Sequence, residues 1–206
     1  MLGAGAHRKR TGFLSRLVNF GRDRRAVAAV EFAFIAPILL IMYFITVEAV
    51  QAIETSKKVS RLGSMVADLV AQQDQVSTTV LQDIIKIGAS VMRPYDRSFP
   101  TVKITGIRIS NDAGANPTVI WSYQGVGTEF TVPYTKNSPT SVPPALKVAG
   151  TFLIRVESQL VYNPIIAWAV DGNKATGLAG IFNDTPMNEI YYLRPRVLQE
   201  IACSNC

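Results

Sequence analysis

The sequence has almost no cysteine or histidine and few charged residues. Among its 206 residues, 17% are charged and 48% are hydrophobic, and the potential soft metal ligands are Cys203, Cys206 and one histidine, His7. A zinc site made of protein ligands needs about four of them, or three with a water molecule, and the two thiols lie far in sequence from His7. The sequence therefore predicts no metal centre, and its composition excludes a disordered or fibrous protein.

Motifs for catalysis are also missing. The one histidine precedes the part of the sequence that is predicted to fold, and Gly125-Val126-Gly127 lacks the remaining glycines of a phosphate-binding loop. Acidic residues such as Glu157 and Asp184 have no partner that the spacing reveals. We therefore predict a protein that is not an enzyme, with no catalytic residues, no cofactor and no small-molecule substrate.

The excess of positive charge, +6 overall, is concentrated near the start. Residues 1–25 have a net charge of +6, residues 26–53 of −2, and residues 54–206 of +2. Because the remainder of the chain has only a small cationic excess, we do not expect it to bind the phosphate backbone of a nucleic acid.

Residues 26–53 are predicted to form a transmembrane helix. The run from Phe32 to Val47 has no charged residue, and extension back to Ala26 gives the length of about 20 residues that a bilayer requires. A helix in the core of a soluble protein would show a polar stripe, and this segment has none.

The charges that flank this segment predict its orientation. Seven arginine and lysine residues precede it, whereas Glu48 and Glu54 follow the apolar run. Cations stay on the cytoplasmic side of a membrane. We therefore expect a single-pass protein of the bacterial inner membrane, with residues 1–25 as a cytoplasmic tail or leader and the C-terminal domain in the periplasm.

Glu31 and Pro37 interrupt the apolar segment. A carboxylate in hydrocarbon costs several kcal/mol unless it reaches the headgroups or is paired. Glu31 either lies near the membrane surface or pairs with a positive charge from a neighbouring subunit. Pro37 removes one backbone donor and predicts a kink.

Residues 54–98 are predicted to form a periplasmic helical stalk. Apolar residues recur at helical spacing and a polar patch at residues 72–75 interrupts them. Thr79 and Gln82 have the form of a capping box at the start of a second helix, which ends at Arg93-Pro94. The apolar positions of the first part are Val59, Leu62, Val66 and Leu69.

Residues 99–206 are predicted to form an antiparallel β-rich domain. Alternation from Val102 to Ile109, with a bulge after Gly106, pairs with residues 118–124 as a hairpin, and residues 151–162 form the clearest strand. The loops are residues 133–144 and 172–186. The fold class is α+β: an N-terminal transmembrane helix that continues into a helical stalk, then a pilin-like antiparallel sheet domain.

Residues 190–193 and the segment after Pro195 are predicted to form the last strand. Proline cannot donate to a strand ladder, so this strand lies at an edge or ends at Pro195. Arg194 and Arg196 either solvate that edge or bind an acidic neighbour.

Cys203 and Cys206 form a C-x-x-C motif. A thioredoxin-like redox pair needs this motif at the start of a helix in a βαβ setting, which its place at the end of the sequence does not give. In the oxidising periplasm a structural disulfide is the better interpretation. The bond could be internal or could join two chains.

Six short motifs are spread over almost the whole chain. They are Arg22–Pro37, Ala67–Gln72, Met92–Tyr95, Ile120–Ser122, Val161–Pro164 and Arg194–Arg196. In this order and spacing they resemble the motifs of TadE-like (TadE/TadG-like) proteins of the Tad, or Flp, pilus system.

This resemblance implies a minor pilin-like subunit or assembly factor for fibres used in adhesion and biofilm formation. Its partners would be the inner membrane, other Tad pilus subunits and assembly proteins, and a prepilin peptidase. The peptidase would cut between Ala26 and Val27, and Glu31, Phe32 and Pro37 would belong to the assembly helix. The usual residue at the position of Ala26 is glycine, so both a cleaved leader and an uncut anchor stay open. The alternative function is an unprocessed, membrane-anchored scaffold or receptor-like binding module.

Overall fold

The computed structural model describes residues 24–164 and 185–206, which separate into two compact units within the chain. The units are Met1–Val47 and Glu48–Cys206. Of the predicted tail, residues 1–25, only Arg24 and Arg25 belong to the described residues, and most of the predicted loop 172–186 lies outside them. The predicted stalk and the predicted sheet domain both belong to the second unit.

Helix α1 spans Arg24–Ala71 and continues through Pro37. The boundary between the two units falls inside it. The helix ends where the apolar repeat gives way to the polar residues 72–75, as the sequence predicted. Strand β1, Gln75–Val76, follows directly.

Helix α2 spans Thr78–Ala89, and a short 3₁₀ helix, Ser90–Met92, continues it. Its N-cap is Ser77, whose hydroxyl accepts a hydrogen bond from the backbone N–H of Val80 at 3.3 Å. The predicted capping box at Thr79 is therefore wrong by two residues. Gln82 instead donates its side-chain N–H to the Tyr123 hydroxyl at 2.7 Å, which ties α2 to the sheet.

Five strands form an antiparallel sheet in the order β4-β3-β2-β5-β6. The predicted hairpin and the predicted bulge between Gly106 and Ile107 are both confirmed. At Gly106 a Cβ atom would lie 2.5 Å from the ring of Trp121, so only glycine fits beneath this indole. The strands are β2 Thr101–Ile109, β3 Pro117–Val126, β4 Glu129–Thr131, β5 Phe152–Tyr162 and β6 Thr185–Leu193.

The second half of α1 packs with α2 on one face of this sheet. Val59, Leu62 and Val66 are fully buried, at the helical spacing that the sequence showed. Gly88 of α2 lies against this stripe, because a Cβ atom there would be 2.6 Å from the Val66 side chain and 2.8 Å from that of Leu62. The sheet contributes Val102, Ile104, Ile154, Val156 and Leu160 to the same core.

The end of the described chain returns to the helices. Strand β6 is an edge strand of the described sheet and ends before Pro195, as predicted. The segment after Pro195 does not continue it, which corrects that prediction. Strand β7, Ala202–Cys203, instead pairs in parallel with β1. The predicted α+β fold class is confirmed by these elements.

Candidate functional site

The first unit presents an apolar helical surface. Among the described residues one helix, starting at Val27, is long and apolar enough to cross a membrane, and none of its most apolar 18-residue window is buried (mean hydropathy 2.3). Phe32 is 70% exposed and Phe34 is 72% exposed. A surface with this much exposed apolar area requires an apolar environment or a partner. This helix is consistent with single-pass membrane anchoring.

Glu31, Phe32 and Pro37 all lie on this exposed surface. The positions one helical turn before and after Glu31 carry apolar side chains, so α1 places no cation beside this carboxylate there. These neighbours are Val27, Ala28, Phe34 and Ile35. Glu31 is therefore an acid in an apolar surface, available to a group from outside the helix.

The Ala26–Val27 peptide bond lies within α1, among the first of the described residues.

Glu48, the first residue of the second unit, is a buried carboxylate with 2% of its surface exposed. The hydroxyl of Tyr162, the last residue of β5, donates a hydrogen bond to its Oε1 atom at 2.5 Å. Burial of the phenol, and then this hydrogen bond to Glu48, raise the pKa of Tyr162 above its usual range. The contact fixes the start of the buried part of α1 to the end of β5.

A cluster of stacked side chains surrounds this hydrogen bond. The rings of Tyr95 and Tyr162 stack with their centroids 5.7 Å apart, and the guanidinium carbon of Arg97 lies 4.6 Å from the Tyr95 centroid. Arg97 also donates Nε–H to the carbonyl oxygen of Asn163 at 2.7 Å, while the Asn163 N–H donates to the Tyr95 hydroxyl at 2.9 Å. Two of the motifs, Met92–Tyr95 and Val161–Pro164, therefore meet in space.

Two other motifs meet at the far end of α1. The backbone N–H of Arg196 donates to the carbonyl oxygen of Ala71 at 2.9 Å, and its guanidinium pairs with the Asp68 carboxylate at 2.5 Å. Arg196 thus binds an acidic neighbour within its own chain. The motifs Ala67–Gln72 and Arg194–Arg196 together hold the last turn of α1 against the end of β6.

The C-x-x-C motif extends this contact. A disulfide joins Cys203 and Cys206, with their Cα atoms 5.6 Å apart. Between them, the Asn205 side chain accepts a hydrogen bond from the Thr78 backbone N–H at 2.8 Å, at the start of α2. Nearby, the indole N–H of Trp121 donates to the carbonyl oxygen of Ile201 at 2.7 Å. The motif closes a small loop that caps α2, a structural role that needs no redox chemistry.

The described residues contain no group of three or more histidine, cysteine or acidic side chains that could hold a metal ion. They do form an open groove of about 430 Å³ beside α2, whose lining is mainly apolar and includes Lys86, Arg93 and Asp96.

The contacts of Glu48, Tyr95 and Arg97 were not predicted from the sequence. The one indication in the sequence was that Tyr95 and Tyr162 each belong to a motif that carried the family resemblance. Their pairing depends on residues more than sixty positions apart, which no local periodicity records.

Comparison with known proteins bears on the start of the chain. The family model for TadE-like proteins matches residues 26–62, a range that contains Glu31, Phe32 and Pro37. No curated protein and no solved structure matches the chain significantly. Through residues 26–62 the chain is similar to TadE-like proteins, the family that its motifs predicted, and this similarity indicates involvement in the Tad pilus system and association with a membrane.

Proposed function

We propose that the chain is a minor pilin-like subunit or assembly factor in Tad pilus biogenesis. It acts without catalysis, through association of its membrane helix and its periplasmic domain with other Tad pilus proteins. The observation that carries this proposal is the apolar surface of residues 27–47, which the described residues leave uncovered. Such a surface fits a lipid bilayer and, within it, the helices of other subunits.

In this proposal α1 crosses the bacterial inner membrane with the N-terminus in the cytoplasm. The cationic residues before Val27 support that orientation. The second unit is then the periplasmic domain. Its contacts at Glu48 and at Ala71 hold the second half of α1 against the sheet.

Glu31 is the residue that gives the association specificity. A carboxylate among apolar neighbours is stabilised when another subunit brings a cation to it. Removal of a leader before Val27 would create such a cation, a free amine, on the neighbouring subunit. We expect Glu31→Ala to abolish co-purification with other Tad subunits from detergent-solubilised membranes and to leave the cells without fibres in electron micrographs.

Glu54→Ala is the matched control, because Glu54 is an exposed acid on the same helix outside the apolar run. This variant should assemble normally, and both variants should retain a folded second unit, as near-UV circular dichroism of the purified chains would show. Normal fibres from Glu31→Ala cells would contradict the pairing role.

Processing is tested separately, by N-terminal sequencing of protein extracted from membranes. A start at Val27 supports a pilin-like subunit, whose new amine meets Glu31 of a neighbour. An intact leader favours an assembly factor, or the alternative of an unprocessed periplasmic scaffold. The substitution Ala26→Gly should increase the cleaved fraction if a prepilin peptidase acts on this bond.

A further inference from the structure

The second unit has exposed apolar side chains at the end where α1 enters it, which we call the entry end. Phe99 is 71% exposed and Val161 is 49% exposed. On α1, Val50 and Ile53 are 49% and 56% exposed. Val161 precedes Tyr162 in sequence, and Val50 and Ile53 follow Glu48, and the Glu48–Tyr162 pair marks this end.

The contacts of the segment before β2 place Phe99 at the entry end. The Ser98 hydroxyl donates to the carbonyl oxygen of Val161 at 2.7 Å, and Tyr95 stacks on Tyr162, which binds Glu48. Phe99 follows immediately, with its ring beside Gly127. Phenylalanine side chains are usually buried in folded domains, whereas Phe99 is held at the surface.

Cationic side chains accompany this exposed ring. Lys86 and Arg93 line the groove that Phe99 borders, together with one acid, Asp96, and all three are exposed. Lys86 also pairs with the exposed Asp83 at 3.7 Å, so the groove has a small cationic excess. Aromatic and cationic side chains occur together on protein surfaces that lie at the headgroup level of a bilayer, where the ring enters the apolar boundary and the cations meet phosphates.

We propose that the entry end rests on the outer surface of the inner membrane, with Phe99 inserted among the phospholipid headgroups. This inference rests on the proposed function, because it takes residues 27–47 as the membrane helix. Val50 and Ile53 follow Val47 by three and six residues, a rise of about 5 and 9 Å along a helix. A headgroup layer is about 5–8 Å thick, so Val50 lies within it and Ile53 at its outer boundary. The covalent link to the membrane helix keeps the entry end at high local concentration near the bilayer, so a modest apolar contact suffices.

The test uses the full chain in vesicles of phosphatidylethanolamine and phosphatidylglycerol. A nitroxide label is attached to a cysteine introduced by Phe99→Cys, Leu198→Cys or Phe44→Cys, without reductant so that Cys203 and Cys206 stay bonded. Leu198 is the matched control, because it is 51% exposed and close to Arg196 at the Ala71 end of the unit. Phe44 lies within the apolar run and reports on the membrane helix itself.

The measured quantity is the ratio of two collision rates of the nitroxide, that with oxygen, which is concentrated in lipid, to that with a water-soluble nickel complex. We expect this ratio to be several-fold higher at residue 99 than at residue 198. The label at residue 44 should give the highest ratio. If residue 44 reports lipid while residue 99 reports water, this inference fails and the membrane helix stands. If residue 44 also reports water, the proposed function fails with it. A label at residue 99 that is immobile and closed to both reagents would indicate a protein partner there and would also overturn the inference.

Discussion

The two halves of α1 differ both in composition and in surroundings. From Val27 to Val47 Glu31 is the one charged residue and the side chains are almost all exposed, whereas from Glu48 to Ala71 a stripe at helical spacing is fully buried. The first half is apolar on every side, and the second alternates apolar positions with Lys57, Lys58 and Arg61. The lesson is that a helix with one apolar stripe among polar residues packs on a sheet, while a helix that is apolar all round needs an apolar environment on every side.

The acids of the two halves differ in the same way. Glu31 has only apolar neighbours on its helix face, while Glu48 is buried and receives a hydrogen bond from Tyr162. The second unit thus satisfies its carboxylate with a hydrogen bond of its own, whereas the proposed function assigns the Glu31 carboxylate a partner on another subunit.

The largest expected effect is on the free energy of unfolding, when one leucine in each half of α1 is replaced by alanine. Leu62→Ala removes a fully buried side chain that packs against Gly88, and it should lower the free energy of unfolding of the second unit by about 2–5 kcal/mol. Leu39→Ala removes a side chain that is 57% exposed, and it should change that free energy by less than about 0.5 kcal/mol. Urea titrations of the full chain in detergent micelles, followed by near-UV circular dichroism, measure both values.

Equal losses from the two substitutions would break the comparison, because Leu39 would then belong to the folded core. A smaller loss at Leu62, with a shifted structure, would instead indicate that α2 moves inward to fill the space. Gly88→Ala distinguishes these outcomes: its added methyl group meets Leu62 and Val66 at under 3 Å, so it should destabilise the parent and less so the Leu62→Ala variant.

A smaller effect is expected at the junction of the two halves. Tyr162→Phe deletes the hydroxyl that donates to the buried Glu48 carboxylate, and it should cost about 1–3 kcal/mol of unfolding free energy. The pKa of Tyr162 is raised in the folded protein. The unfolded state therefore loses its phenol proton first, and the stabilisation that is fully present below about pH 10 is lost as the pH rises above that value.

The measurement is the urea midpoint of both proteins between neutral and strongly alkaline pH. The parent should lose stability above the ordinary tyrosine pKa more steeply than Tyr162→Phe. Tyr192→Phe is the control, because Tyr192 is a tyrosine of β6 that is only half-buried. Identical alkaline slopes in all three proteins would show that the Tyr162–Glu48 contact does not contribute to the stability of the second unit.

Local patterns predicted much of this architecture. Some features depend on residues that are close together in sequence, and these were predicted. The absence of charge after Phe32 predicted the apolar segment, and the periods of the apolar residues predicted the buried stripe of α1 and the bulge after Gly106. The family resemblance also came from short local motifs, and the match over residues 26–62 confirmed the family in the part of the chain that holds the first of them.

What the sequence did not predict depends on contacts between distant segments. Three successive residues, Ser77, Thr78 and Thr79, can each cap a helix, and local preference does not choose among them. Ser77 is the N-cap because contacts with distant residues fix the first turn of α2. The Thr78 N–H donates a hydrogen bond to the Asn205 side chain, and the Gln82 side chain donates one to the Tyr123 hydroxyl. Strands β1 and β7 also depend on distant residues. Each has two residues, and they pair although they lie more than a hundred positions apart in sequence.

The smallest effect on stability is expected at the Ala71 end of α1. The polar contact there, Arg196 with Asp68, is exposed to water, whereas the contact of Glu48 with Tyr162 at the start of the buried half is not. The Arg196 and Asp68 side chains are 59% and 38% exposed, and an ion pair in contact with water contributes less than about 1 kcal/mol. Arg196→Ala should therefore lower the urea midpoint slightly, and the loss should shrink as salt is added. Arg194→Ala, at an exposed position two residues earlier, should leave the midpoint unchanged. A loss at Arg196 that is large and independent of salt would mean that this side chain is sequestered from water in the folded chain, and the far end of α1 would then resemble the Glu48 junction.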